Sequence, residues 1–220
     1  MKTSPIDFIL STLVISILCL ISFLSIKFGV RPFSTSLLAE YHIIVDTLLF
    51  LFFYGLASAL LLRLMMLVKP FTPGSYSMDD SLFIYWKLFT VTYEFGKGAL
   101  LPFTTVFAKP VIALLFGAKI GKDIALGGTL VDPQLIEIGD EAIVGQDTVI
   151  TAHTITSGMI TLTPVRIAAK ATIGVNSVLM SGVEVGENSV VAAGSVVPPN
   201  THIPANELWG GIPAKKIKAL

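Results

Sequence analysis

The sequence predicts transmembrane helices at the N-terminus joined to an all-β left-handed parallel β-helix, a solenoid of hexapeptide repeats. Three observations carry that expectation: two long apolar runs before residue 70, an aliphatic residue at every sixth position from residue 120, and a composition too apolar for an ordinary soluble domain. The chain has 220 residues, of which 53% are hydrophobic and 14% charged, and its mean hydropathy is +0.80. Lys plus Arg and Asp plus Glu both number 15. With no basic excess or stripe, a nucleic-acid partner is not expected. The single cysteine, Cys19, rules out an intrachain disulfide framework and a thiolate metal cluster.

The first run, Phe8 to Ile26, carries no charge, and about 20 such residues span a bilayer core. It is too long for the core of a signal peptide, and Phe28-Gly29-Val30-Arg31-Pro32 offers no small-residue cleavage site. The second run, Ile43 to Leu62, contains one charge, Asp46, expected to reach the membrane interface from near the end of its span. Residues 1–70 are therefore expected to form a transmembrane hairpin. Lys2, Arg63 and Lys69 on one side against Lys27 and Arg31 on the other orient it only weakly. Residues 71–118 mix Trp86, Tyr76, Tyr85 and Tyr93 with Lys87, Lys97 and Lys109, and Pro102 and Pro110 divide them. This suits interfacial helices connecting anchor and solenoid.

From residue 120 the period is six. Ile120, Leu126, Asp132, Ile138, Val144 and Ile150 form one row, and Ile167, Ile173, Leu179, Val185, Val191, Val197 and Ile203 resume it. The next position is repeatedly small or proline, as at Gly121, Gly139, Gly174 and Pro204, and hydroxyl or small residues follow four places after the anchor. Three such steps make a triangular coil whose knobs stack on those of the coil below. One coil cannot bury its own interior, but a stack of about five can. An amphipathic helix would need spacings of three and four. The solenoid is expected over 119–208, with a C-terminal tail at 209–220.

Between Ile150 and Ile167 the spacing is 17 rather than 18, which predicts a remodelled corner at His153–Met159. Loops of this kind carry binding and catalysis. His153 opens it, and a neutral imidazole there can act as a general base. Asp132, the one row position that is not aliphatic, is expected to be paired or turned outward, since a buried lone carboxylate is costly. It is a candidate for orienting His153 or holding an acceptor.

Two motifs, the stretch Ser181 to Val197 and the C-terminal Trp209-Gly-Gly-Ile-Pro-Ala-Lys-Lys-Ile217, resemble the hexapeptide-repeat acetyltransferases. Maltose, galactoside, serine and xenobiotic O-acetyltransferases are of that family. A closer resemblance, over Leu115–Gly121, Val131–Gly139 and Thr163–Ile167, is to the membrane-anchored β-helix domains that end some nonribosomal peptide synthetases. The resemblance covers about residues 80–217.

It implies a homotrimer with acetyl-CoA or another acyl-CoA lying between neighbouring solenoids, and His153, in Thr151-Ala152-His153, as catalytic base. It further implies Asp132 at the acceptor and Gly174, Ala193, Gly211, Lys215 and Lys216 beside the coenzyme, with no metal. The expected activity is transfer of an acetyl or other acyl group to a hydroxyl or amine of a membrane-associated acceptor, with the solenoid on the cytoplasmic side of the inner (plasma) membrane.

Two other classes compete. A non-catalytic trimeric scaffold would not need His153 or the Gly-Ile-Pro-Ala-Lys element. A γ-type carbonic anhydrase would need three zinc-binding histidines, but the chain has only His42, His153 and His202, the first at a membrane span.

Overall fold

The computed structural model describes residues 4–220 and divides into two compact units. The helical unit comprises the described residues up to Lys69 together with Asp79–Thr104. The second unit comprises Pro70–Met78 and Thr105–Leu220.

In the helical unit, α1 runs Pro5–Ser25, started by Ser4 and Asp7 in a capping box with Pro5 in the first turn. A π-helical turn at Ile26–Val30 leads into α2 (Arg31–Leu38). After a 3₁₀ turn, α3 runs His42–Val68. The stretch Pro5–Val68 is long and apolar enough to cross a membrane, with most of its most apolar window facing outward. Exposed Phe8, Ile9, Leu13, Leu60 and Leu64 make that outward face.

The chain then leaves for the other unit as strand β1 (Gly74–Ser77) and returns as α4 (Ser81–Ala99), capped by the Asp80 carboxylate accepting from Leu82 N at 2.8 Å. Leu82, Phe83, Trp86, Phe89, Tyr93 and Gly96 are buried at helical spacing. Leu18, Tyr54 and Ala99 join α1, α3 and α4 in one apolar cluster, and Leu100 packs where a Cβ on Gly55 would sit. Residues 71–118 are therefore not a single connector: 79–104 belong to the helical unit, while β1 and α5 (Ala108–Leu115) belong to the solenoid unit.

The solenoid follows α5. Its first coil is β2 (Lys119–Ile120), β3 (Ala125–Leu126) and β4 (Thr129–Val131), and its second is β5 (Ile136–Ile138), β6 (Ile143–Val144) and β7 (Val149–Thr151). An excursion follows, β8 (His153–Thr156) and β9 (Met159–Leu162), before the third coil of β10 (Val165–Ile167), β11 (Thr172–Ile173) and β12 (Val178–Leu179). The fourth is β13 (Glu184–Val185), β14 (Val190–Val191) and β15 (Val196–Val197). Then come β16 (His202–Ile203), β17 (Glu207–Gly211) and β18 (Ala214–Ala219), the last folding back antiparallel on β17. The tail expected from residue 209 thus starts inside β17, which is itself a rung of the solenoid on β14.

Three parallel sheets form the faces, in the orders β16-β13-β10-β5-β2, β17-β14-β11-β6-β3 and β15-β12-β7-β4. The aliphatic row points inward: Ile138, Ile150, Ile167, Ile173, Leu179, Val191 and Ile203 are all buried. Side chains that stack rung on rung make the unit's apolar core. Buried hydroxyls tie the coils together at the corners. Ser177 donates to Ala192 O at 3.1 Å, and Ser189 donates to Pro204 O at 2.6 Å. Three residues after successive anchors the backbone is left-handed, at Asp123, Glu141, Asp147, Lys170, Asn176, Asn188, Asn200 and Asn206. Asparagine tolerates that conformation best among residues with a side chain.

Two features correct the sequence reading. Leu130, not Asp132, fills the inward rung position, pairing with Ile150. The phase change is not the loss of one residue but an insertion. Rungs Ile138 and Ile167 are 29 residues apart, where Ile120 and Ile138 are 18 apart.

The insertion is the β8–β9 hairpin, turning at Ser157 and Gly158, both at positive φ. Strand β1 adds to its outer edge with Gly74 opposite Leu162 and Tyr76 opposite Ile160. Ser75 and Thr161 share a hydroxyl hydrogen bond of 2.8 Å, and Met78 N donates to Gly158 O at 3.1 Å.

Candidate active site

Asp132 and His153, 21 positions apart, meet one coil above the other. Strands β4 and β7 end in register at Val131 and Thr151, so the chain leaves both rungs at the same corner. Asp132 sits there with φ 62° and ψ 59°, a left-handed turn that Asp tolerates, and Pro133 opens the short 3₁₀ helix that carries the chain on. The geometry turns its carboxylate toward the rung above. His153 Nδ1 lies 2.5 Å from Asp132 Oδ2. Asp132 is 3% exposed, and the His153 side chain is 21% exposed. The carboxylate is therefore paired, and the imidazole keeps a route to solvent.

Thr151, a residue the sequence reading did not single out, donates its hydroxyl to His153 O at 3.3 Å and stands 3.5 Å from His153 Nδ1. With Nδ1 donating to the carboxylate, the neutral ring carries its lone pair on Nε2. Such a pair fixes both tautomer and orientation, and can take a proton from a hydroxyl or amine.

The residues expected beside a coenzyme fall along one corner of the solenoid. A Cβ on Gly174 would lie 2.4 Å from Ala193 N, so these two corners stack directly. One rung further on, a Cβ on Gly210 would lie 3.0 Å from Ala192 Cβ, and Gly211 N donates to Ser195 Oγ at 3.2 Å. Gly174, Ala192 and Gly210 thus share a column of small residues, with Ala193 and Gly211 each one position further along the chain. Lys215 is exposed on β18, opposite Gly210.

Lys216 is engaged: its Nζ donates to Glu207 Oε1 at 2.5 Å, while Trp209 Nε1 donates to Glu207 Oε2 at 2.8 Å. Those bonds, Lys216 first, hold the Glu207 carboxyl below the usual glutamate range. On another face, Arg166 Nη1 donates to Glu184 at 2.7 Å and His202 lies 3.4 Å from the same carboxylate. Arg166 foremost and then His202 lower the Glu184 pKa.

The three histidines do not converge. His42 opens α3 in the helical unit, His153 is at the dyad, and His202 is on β16. Among the described residues no three or more His, Cys, Asp or Glu side chains are grouped to hold a metal ion.

Comparison with known proteins agrees with the repeat. Residues 164–199 match the family model described as the hexapeptide repeat of succinyl-transferase. The chain is 39% identical over 83 residues to the mitochondrial gamma carbonic anhydrase 2 of Arabidopsis thaliana, covering 38% of this chain and 26% of that protein. It is 30% identical over 99 residues to the galactoside O-acetyltransferase of Escherichia coli strain K12, covering 42% and 48%. It is 25% identical over 118 residues to a delta-poly-L-ornithine synthetase of Acinetobacter baumannii, covering 53% of this chain and 9% of the synthetase. The chain thus spans about a quarter of the first of these relatives, half of the second and a tenth of the third.

Proposed function

We propose that this hexapeptide-repeat chain is a membrane-anchored acyltransferase that moves an acetyl or similar acyl group from acyl-CoA to a hydroxyl or amine of a membrane-associated acceptor. The observation that carries the reading is the Asp132–His153 pair, which couples a buried carboxylate to a partly accessible imidazole at an insertion in an otherwise regular solenoid. The match to a galactoside O-acetyltransferase supports the same class of chemistry.

In this reading Asp132 orients His153 and stabilises the imidazolium that forms. Nε2 of His153 takes the acceptor proton as the acceptor oxygen or nitrogen attacks the thioester carbonyl carbon. The carbon–sulfur bond then breaks, and the departing thiolate takes that proton from the His153 imidazolium, which restores the neutral base. Gly174, Ala193 and Gly211 give a surface without side chains large enough to obstruct a close-lying coenzyme, and Lys215 supplies a positive charge for its phosphates. Lys216 would act on phosphates only by sharing its ammonium with Glu207. The site is completed between subunits of a homotrimer, and the solenoid lies on the cytoplasmic side of the inner membrane, where acyl-CoA is available.

The test is thioester consumption by the full chain in detergent or nanodiscs, with hydroxyl and amine acceptors offered. Acceptor-dependent release of free thiol, lost in His153→Ala, is the expected result. No consumption with any donor or acceptor would favour the non-catalytic scaffold.

A further inference from the structure

The helical unit contains a charged cluster that the transfer chemistry leaves unused. Asp46, in the second turn of α3, is only 6% exposed rather than reaching outward as its position near the span's end suggested. Three donors satisfy its carboxylate: Arg31 Nε at 3.2 Å, Ser34 Oγ at 2.7 Å and His42 Nδ1 at 3.0 Å. A buried carboxylate so held is a fixed anchor for the arginine. The bond uses Arg31 Nε, and the Arg31 side chain is 49% exposed. Arg31 and Asp46 line a cavity of about 200 Å³ together with Lys27, Phe23, Ile26 and Phe50. The ammonium of Lys27 lies over the Phe28 ring at 5.3 Å. The cavity lining thus combines two cationic side chains and the Asp46 carboxylate with apolar ones.

The position along the helix matters as much as the composition. The 21 residues of α1 rise about 30 Å at 1.5 Å each, the thickness of a bilayer's hydrocarbon core. Lys27 and Arg31 follow immediately after, at the depth of lipid phosphates.

We propose that this cavity binds the phosphate of an anionic lipid head group, with Lys27 and Arg31 pairing its oxygens and Asp46 positioning the guanidinium. The apolar wall of Phe23, Ile26 and Phe50 favours a lipid over free phosphate, because it accommodates the first methylenes of an acyl chain. The inference rests on the membrane reading and is independent of the transfer chemistry.

The experiment is native mass spectrometry of the full-length chain in mild detergent, offered phosphatidylglycerol or phosphatidylcholine. Both lipids carry the phosphodiester, but the choline ammonium neutralises it in phosphatidylcholine, so phosphatidylglycerol should be retained about tenfold better. Lys27→Gln, which removes no ion pair among the described residues, should lower that preference severalfold, Arg31→Lys should keep part of it, and Lys27→Gln with Arg31→Gln should abolish it.

Equal retention of the two lipids, or an undiminished preference in Lys27→Gln, overturns the proposal. Displacement of phosphatidylglycerol by millimolar inorganic phosphate would make this a free-phosphate site and overturn the lipid assignment. Release of the chain from membranes by alkaline carbonate would instead sink the membrane reading, and is scored separately.

Discussion

At the scale of single residues, the Asp132–His153 pair ties chemistry to stability. His153 is at the rim of the excursion but is the partner of the buried Asp132 carboxylate, so His153→Ala should cut transfer by about a hundredfold to ten-thousandfold and also lower the melting temperature. Full activity in that variant would remove His153 from the mechanism. Asp132→Asn keeps the shape of the side chain but replaces the charged acceptor. Turnover is expected to fall by about a hundredfold, with little change in the Michaelis constant for acyl-CoA. An equal rise in that constant would mean that Asp132 holds substrate rather than the base. Both residues stood out in the sequence, one as the exception in a row and one at a break in phase, but their meeting did not. It depends on Leu130 taking the rung that the six-residue count gave to Asp132, and the count alone carries no sign of that shift. Lys216 was read as a phosphate ligand, and its bond to Glu207 runs across the β17–β18 hairpin, which forms only after the chain has turned back.

At the scale of elements, the corner glycines and the terminal hairpin make separate predictions. A Cβ on Gly139 would lie 2.6 Å from Ala169 N, which is backbone and cannot step aside. Gly139→Ala should therefore destabilise the solenoid by about 1–3 kcal/mol, read as a lower midpoint in chemical denaturation. An unchanged midpoint would mean that adjoining coils slide apart easily. In the hairpin, Lys216 and then Trp209 hold Glu207 ionised, so its folded-state pKa is depressed. Its contribution is complete above the value glutamate has in an unfolded chain, and is lost as pH falls through the lower folded value. Protection of the β18 amides, taken relative to their intrinsic exchange at each pH, should accordingly fall in acid below the ordinary glutamate range and stay flat near neutrality. Glu207→Gln should abolish that dependence. Helices α1 and α3 and the coils were legible because long apolar runs and a fixed period survive in sequence. Strand β1 was not. Gly74-Ser-Tyr-Ser77 has no aliphatic alternation, and its partner Thr161 is 86 residues away.

At the scale of the whole molecule, the proposed trimer and topology are open to direct measurement. Native mass spectrometry in mild detergent should show three copies, and monomers alone would count against a site shared between subunits. A C-terminal phosphatase or fluorescent-protein fusion should report a cytoplasmic C-terminus, and an external one would remove soluble acyl-CoA as the donor. The division of the chain has a further consequence. Because β1 belongs to the solenoid unit while α4, the next helix, belongs to the helical unit, the backbone passes between units after Lys69, after Met78 and again after Thr104. The solenoid is therefore not a cassette. No single cut in the chain releases it, and no contiguous gene fragment encodes it without the helical stretch 79–104. A fragment starting at Thr105 would leave the outer edge of β9 bare beside the dyad, a strand edge open to pairing with other chains. Evolution, like a cloning strategy, can exchange this anchor for another only by also supplying a replacement for four residues that lie on the far side of it.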